Sequence, residues 1–247
     1  MKSLQLIPSR FGEGLMALLW PGLCDICGAS IAAADGRLCQ DCWDKLIVST
    51  SGHYCRVCGG DVSEYAAMPT GCGGCQNDKI HFDAIARAGV YETVLRDMIL
   101  AFKFNDRTEL GGCLCMLADS ALQGSGFTSQ IDFFVPVPLH WRRQFMRGYN
   151  QSLLICKGLS HPTAKISTDL ARIRYTQRQF NLSHAKRRRN VAGAFAPRKG
   201  HPFKGSNICL VDDISTSMAT LNECARTLKQ AGADKVFALV AAVATRH

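Results

Sequence analysis

Apolar and polar positions along the chain change their period several times, and each change marks an element. Residues 1–20 carry apolar positions at Leu15, Leu18 and Leu19, which predict a short helix or tail. Residues 21–80 have no period and are rich in glycine and cysteine. A strand is expected within 81–90, around Phe82, Ala84 and Ala86. Helical spacing follows, with Val94, Leu95, Met98, Ile99 and Phe102 on one face. A second helical stretch, interrupted at Gly111-Gly112, has Leu110, Leu114, Leu117 and Ala121 as its core face and closes at Gly124 and Gly126.

From there strands and helices alternate. Residues 131–137 read as an apolar strand ending at Pro136 and Pro138, and 148–159 as a helix. Residues 160–205 are basic and loop-rich. Residues 208–211 are a short, fully apolar strand of the kind found inside a parallel sheet. Residues 220–231 are helical, with Leu221, Cys224, Ala225 and Leu228 facing inward and Gly232 as the stop. Residues 236–243 form a last buried strand. The alternation implies βαβ crossovers and an α/β parallel sheet in 81–247, preceded by a small cysteine-rich unit in 1–80. No apolar run reaches the length of a membrane span, and the early apolar stretch leads into Pro21 and a cysteine pair rather than a cleavage site. The chain is therefore read as cytoplasmic, with no signal peptide and no anchor.

Cysteine placement changes the picture of the first 80 residues. Eight of the 13 cysteines form four CxxC pairs: Cys24/Cys27, Cys39/Cys42, Cys55/Cys58 and Cys72/Cys75. A CxxC turn sets two sulfurs on one knuckle, and tetrahedral Zn²⁺ takes two knuckles. Two structural zinc sites of four cysteines each are expected. Pairing in sequence order is favoured over crossed pairing because each loop then closes at lower entropic cost. The remaining five (Cys113, Cys115, Cys156, Cys209, Cys224) lie among apolar residues and read as small buried hydrophobes.

Charge changes the picture of the middle. Of the formal net charge of +9, the stretch from Trp141 to Lys204 contributes +14, with 15 Lys or Arg against the single acid Asp169. So uneven a field calls for an anionic partner, either nucleic acid or the phosphates of a small molecule. Basic residues interleaved with Tyr175, Phe180 and Phe195 could grip a backbone and stack bases. A solvated flap over a site is the competing reading of 160–205.

The most specific signal is the segment 208–221. A buried strand leads to Asp212 and Asp213, then to the hydroxyl-rich turn Ser215-Thr216-Ser217-Met218-Ala219-Thr220, then to a helix. Open α/β sheets bind ligands at that edge, and a helix start offers free N–H groups to a phosphate. The segment resembles the phosphoribosyl-pyrophosphate (PRPP) signature of type I phosphoribosyltransferases. The resemblance implies that Asp212 and Asp213 meet the ribose, with Mg²⁺ between ribose and pyrophosphate, and that residues 215–220 surround the 5′-phosphate. Met218 stands where that family has glycine. Either its side chain points away from the loop or phosphate binding is weakened.

A second distinctive stretch runs from Pro136 through His140, Arg142, Arg143, Arg147, Gly148 and Asn150 to Gln151. With Arg172, Arg174, Asn181, Ser183, Arg188, Arg189, Asn190, Phe195 and the lysine of Phe102-Lys103-Phe104, it is similar to the ComF/GntX competence-protein family. That family joins a double zinc ribbon to a phosphoribosyltransferase-like domain. The resemblance implies a role in DNA uptake, with single-stranded DNA and a competence helicase as partners and PRPP or a nucleotide as a possible ligand. Lys103, Arg142, Arg143, Arg147, Arg188 and Arg189 are the candidate contacts to pyrophosphate or nucleic acid. An active phosphoribosyltransferase in nucleotide metabolism or salvage is the alternative.

Overall fold

A computed structural model of the chain describes residues 22–31, 37–63, 70–104, 110–176 and 184–244. The expected helix or tail at 1–20, Phe180, Asn181 and Ser183 lie outside the described residues. The chain divides into two compact units, Met1–Val48 and Ser49–His247.

In the first unit, two-residue strands β1 (Gly22–Leu23) and β2 (Ser30–Ile31) pair antiparallel. Helix α1 (Gln40–Thr50) follows, opened by Asp41 in its first turn, where the helix dipole favours an acid.

The second unit is an α/β fold around a five-stranded parallel sheet. Its strands are β3 (Ala84–Val90), β4 (Phe133–Pro136), β5 (Lys165–Ile166), β8 (Ile208–Ser215) and β9 (Val236–Val243), in the order β3-β9-β8-β4-β5. A separate antiparallel hairpin joins β6 (Leu170–Arg172) to β7 (Phe195–Pro197). The helices are α2 (Thr93–Phe104), α3 (Leu110–Gln123), α4 (Trp141–Arg147), α5 (Gln151–Lys157), α6 (His184–Val191) and α7 (Ala219–Gln230).

All eight residues of β9 are buried, as befits a strand covered on both faces. The predicted inward faces of α2 and α7 are buried as expected. The face of α3 differs. Leu110, Leu114, Ala118 and Leu122 are buried, while Leu117 and Ala121 are only partly so. Gly111 does not interrupt this helix. It seats it, because a Cβ there would stand 3.0 Å from the Phe102 ring.

Three further expectations are corrected. The helix expected at 148–159 is the shorter α5, and an unexpected helix, α4, precedes it and ends at Gly148, which takes the left-handed conformation at φ 74°. The stretch 160–205 contains β5, β6, β7 and α6. Strand β8 continues past Val211 to Ser215, because its pairing with β9 runs on through Asp212↔Val240 and Ser215↔Val243. Of the five other cysteines, Cys156, Cys209 and Cys224 are buried, and burial raises each thiol pKa; Cys113 and Cys115 are only partly buried. Among the described residues, no helix is long and apolar enough to cross a membrane.

The strand order fixes where a ligand can sit. From β4 the chain moves outward to β5, whereas from β8 it moves the opposite way to β9. The point of reversal lies between the carboxyl ends of β4 and β8, where open α/β sheets have their crevice.

Candidate functional site

Eight cysteines gather in two groups, in sequence order. Cys24, Cys27, Cys39 and Cys42 form one; Cys55, Cys58, Cys72 and Cys75 form the other. Within each, all four Sγ atoms lie within 4.8 Å of one another. A Zn–S bond of about 2.3 Å in a tetrahedron requires sulfurs about 3.8 Å apart. The separations of 3.7 Å for Cys58–Cys72, 3.9 Å for Cys55–Cys75 and 3.5 Å for Cys27–Cys39 agree with that. Backbone turns preset the knuckles: Gly28 N donates to Cys24 O at 2.9 Å, and Gly59 N to Cys55 O at 2.7 Å. Both glycines take positive φ, which an L side chain resists. Two four-cysteine sites thus fit two structural zinc ions, with every thiolate used and no open position for catalysis.

At the reversal point of the sheet, β8 carries Asp212 half-buried and Asp213 buried. Lys103, from the last turn of α2, places Nζ 2.8 Å from Asp213 Oδ1. Asn150 caps α5: its Oδ1 accepts from Ser152 N at 3.0 Å, and its Nδ2 donates to Val137 O at 3.2 Å. The cap ties α5 to the end of β4 and orients Ser152, whose Oγ donates to Asp212 Oδ1 at 3.0 Å. Burial, reinforced by the neighbouring Asp213 charge, pushes the Asp212 carboxyl up to about 7; Lys103 and the hydrogen bonds from Asp213 N and Ser152 work against that rise.

The loop after β8 carries no Cβ-free residue, yet it keeps a glycine-like turn. Met218 sits at φ 58° and ψ −5°, the left-handed region. Its side chain is buried in the apolar core with Leu221, Val240 and Val243, so it points away from the loop. Among the described residues, no side chain caps α7 at Met218, and the buried hydroxyls of Ser215 and Ser217 have no hydrogen-bond partner. Beside this loop, Asn222 Oδ1 accepts from His81 N at 2.6 Å and its Nδ2 donates to Lys79 O at 2.8 Å. Arg188 pairs with Asp78 at 3.0 Å.

The candidate cations divide into groups. Lys103 joins the two acids. Arg143 Nη2 donates to Thr176 O at 2.9 Å, and Arg172 donates to the Thr176 hydroxyl. Burial, and then repulsion from Arg143, lowers the Arg172 pKa. Arg147 Nη1 reaches Gln151 Oε1 at 3.3 Å. Arg142 faces aromatic rings instead. Arg188 stands by the loop, whereas Arg189 is exposed on α6. Phe195 is buried against the Arg172 guanidinium at 5.3 Å, which corrects the reading of it as a ring free to stack. Ser152, Thr176 and Asn222 were not expected at the site. Only the cap pattern of Asn150 before an apolar helix could have pointed to the first of them.

Comparisons agree with this architecture. A family described as the double zinc ribbon domain matches residues 15–78. "DNA utilization protein YhgH" of Salmonella typhimurium is 32% identical, over 87% of this chain and 94% of that protein. The chain belongs to the ComF/GntX competence-protein family. Other members similar to it are "Competence protein F" of Haemophilus influenzae, 29% identical over 86% of this chain and 93% of that protein, and "Competence protein ComFC" of Bacillus subtilis, 26% identical over 80% of each. The likeness spans the zinc ribbon and the phosphoribosyltransferase-like sheet together.

Proposed function

We propose that this member of the family is a cytoplasmic accessory protein of DNA uptake, handling single-stranded DNA beside a helicase. The observation that carries this reading is the +14 stretch between Trp141 and Lys204. Its described elements, α4, α5, β5, the β6–β7 hairpin and α6, come from a chain whose relatives are named for competence and DNA utilization. Phosphate contacts release counterions, so the logarithm of the association constant for a labelled single strand falls linearly with the logarithm of salt concentration. An affinity that ignores salt overturns the reading.

A second reading, an active Mg²⁺-dependent phosphoribosyltransferase, is favoured by one observation. Met218 holds the backbone shape that glycine would give and keeps its side chain in the core, so the loop stays open to a phosphate. In this reading Ser215, Thr216, Ser217 and Thr220, with the first amides of α7, hold the 5′-phosphate of PRPP. Asp212 and Asp213 hold the ribose hydroxyls. Two carboxylates, one of them engaged by Lys103, are a donor set suited to Mg²⁺ bound partly through substrate oxygens rather than in an all-protein cage. When bound, the ion would neutralise charge on the departing pyrophosphate. Pyrophosphate would leave with the electron pair of its bond to ribose C1, and the acceptor's lone pair would form the new bond there. Calorimetric titration with Mg²⁺–PRPP tests it: heat of binding is expected, and none at millimolar ligand overturns it.

A further inference from the structure

Helix α4 is turned inside out relative to an ordinary amphipathic helix. Its large apolar side chains face solvent: Trp141 is 66% exposed, Phe145 88% and Met146 74%. Such a cluster has no packing reason of its own and marks an interaction site. Trp141 and Phe145 stand one helical turn apart and line an open hollow of about 450 Å³ with Gln144 and Gly148.

The hollow is continuous with a group of rings and guanidinium ions. Arg142 lies 5.2 Å from the Trp141 ring and 5.8 Å from the Tyr175 ring, and Arg143 lies 5.7 Å from the latter. His140 meets Tyr175 edge-on at 5.1 Å and Trp141 at 5.6 Å. Tyr175 is itself 51% exposed. Among the described residues, neither Arg142 nor Arg143 pairs with a carboxylate. Flat exposed rings and acid-free arginines in alternation suit a ligand that is anionic along its backbone and aromatic beside it, with its base faces uncovered. A duplex hides those faces. An acidic protein would answer the arginines and leave the rings bare.

We propose that α4 and Tyr175 form a base-stacking platform for single-stranded DNA. Trp141, Phe145 and Tyr175 take successive bases, while Arg142 and Arg143 hold the phosphates between them. This inference rests on the single-strand reading above and says where on the basic stretch the strand is gripped.

Fluorescence anisotropy of the zinc-loaded full chain tests it. The probes are a labelled oligothymidylate of about twenty nucleotides and an abasic strand of the same length. The wild type is expected to prefer the strand with bases. Trp141→Ala and Phe145→Ala are each expected to weaken oligothymidylate binding about tenfold, with the salt slope unchanged and abasic binding unaffected. Arg142→Gln with Arg143→Gln is expected to lower the salt slope by roughly 0.7 for each arginine. Trp141→Phe, which keeps a ring, retains most of the affinity and guards against an alanine variant that fails to fold. A wild type that binds neither strand overturns both the single-strand reading and the platform. Equal binding of both strands, or alanine variants with wild-type affinity, overturns the platform alone and leaves the charge-based reading standing. Loss of self-association in Trp141→Ala with DNA affinity intact overturns it too, and gives the face to a second copy of the chain.

Discussion

The two four-cysteine groups use the same chemistry and the same CxxC knuckles, yet they differ in what surrounds them. In the first, Cys27 is exposed, Cys39 is partly exposed, and the neighbouring strands are two residues long. In the second, Cys55, Cys58 and Cys75 belong to the apolar core that also contains Ile85, Leu221, Val240 and Val243. Backbone and side chains reinforce the join: Ile85 N donates to Arg56 O at 2.8 Å, and the buried Arg87 donates to Gly59 O at 2.8 Å while pairing with Asp61. The first zinc organises a knuckle whose described buried apolar residues, Cys24, Leu38, Cys42 and Leu46, are not members of that core. The second organises a piece of the α/β domain. Equal ligand sets therefore do not imply equal contributions to stability; what the knuckle packs against decides it.

The largest effect should come from breaking the second group. Cys55→Ser is expected to leave one zinc bound and to abolish the cooperative melt of the α/β unit, a loss of more than about 5 kcal/mol, comparable to the whole stability of an ordinary domain. Cys27→Ser is expected to lose the other zinc while the sheet melts within about 1 kcal/mol of the wild type. Elemental analysis and circular dichroism of the two variants check this. Equal losses from both would break the comparison.

Zinc is not the sole device setting the stability of that unit, and pH separates the contributions. The raised pKa of Asp212 means that the folded chain holds a proton which the unfolded chain gives up above about pH 4. Stability from this group is present in acid and is lost as pH rises toward about 7, beyond which it is flat. The slope approaches at most about 1.4 kcal/mol per pH unit. Zinc thiolates act with the opposite sign, since protons compete for them and low pH weakens the site. Asp212→Asn is expected to remove the falling term and leave the zinc term, so its melting temperature should rise more steeply with pH than that of the wild type. Identical pH profiles would count against the Asp212 assignment.

Arg87 is the next step down. Arg87→Met removes the donor to Gly59 O and leaves that buried carbonyl unpaired, at about 2 kcal/mol; the half-exposed Asp61 adds little. Chelator-driven zinc release, followed by a colorimetric dye, should then speed up for one zinc per chain and not for the other. Acceleration of both phases would mean that Arg87 does not discriminate between the groups.

How far all this was legible in the sequence follows from where each residue's environment is decided. The four CxxC pairs and their sequential grouping were readable because loop closure is local. Strand β9 and helix α7 were readable because an eight-residue apolar run and a clean helical stripe admit one solution each. The face of α3 was not, since apolar residues occur nearly all round that helix and only packing against β3, β9, α2 and α5 selects the row from Leu110 to Leu122. Helix α4 was missed because its apolar residues are exposed, so no buried stripe marks it, and Pro138 and Gly148 bracket it like a loop. The strands β5, β6 and β7 are too short to show a period; pairing with distant partners makes them. At the site, Asp212 and Asp213 were named from the sequence, but the Lys103 and Ser152 contacts depend on where α2 and α5 end in space. That the second knuckle shares the sheet's core was equally invisible, because Cys55 and Val243 are brought together only by the fold.

The smallest test is also the cleanest, since it uses one substitution at equivalent places. Gly28 and Gly59 each follow the second cysteine of a knuckle, and their backbones match closely, at φ 72° and 76°. A Cβ at Gly28 would meet nothing within 4 Å among the described residues, whereas one at Gly59 would stand 3.0 Å from Val243 Cγ2 and 3.4 Å from Ile85 Cδ1. Left-handed strain is common to both and costs about 1 kcal/mol for alanine. Crowding is not shared, because the neighbours of Gly59 are fixed in a close-packed core. Gly28→Ala is therefore expected to cost about 1 kcal/mol, read as faster release of one zinc with the α/β melt unchanged. Gly59→Ala is expected to cost about 2 kcal/mol, read in the melt itself. Adding Val243→Ala to Gly59→Ala should recover the crowding part, a coupling that Gly28→Ala with Val243→Ala should lack. If the two glycine variants behave alike, the strain lies in the turn alone and the second knuckle is no more a part of the core than the first.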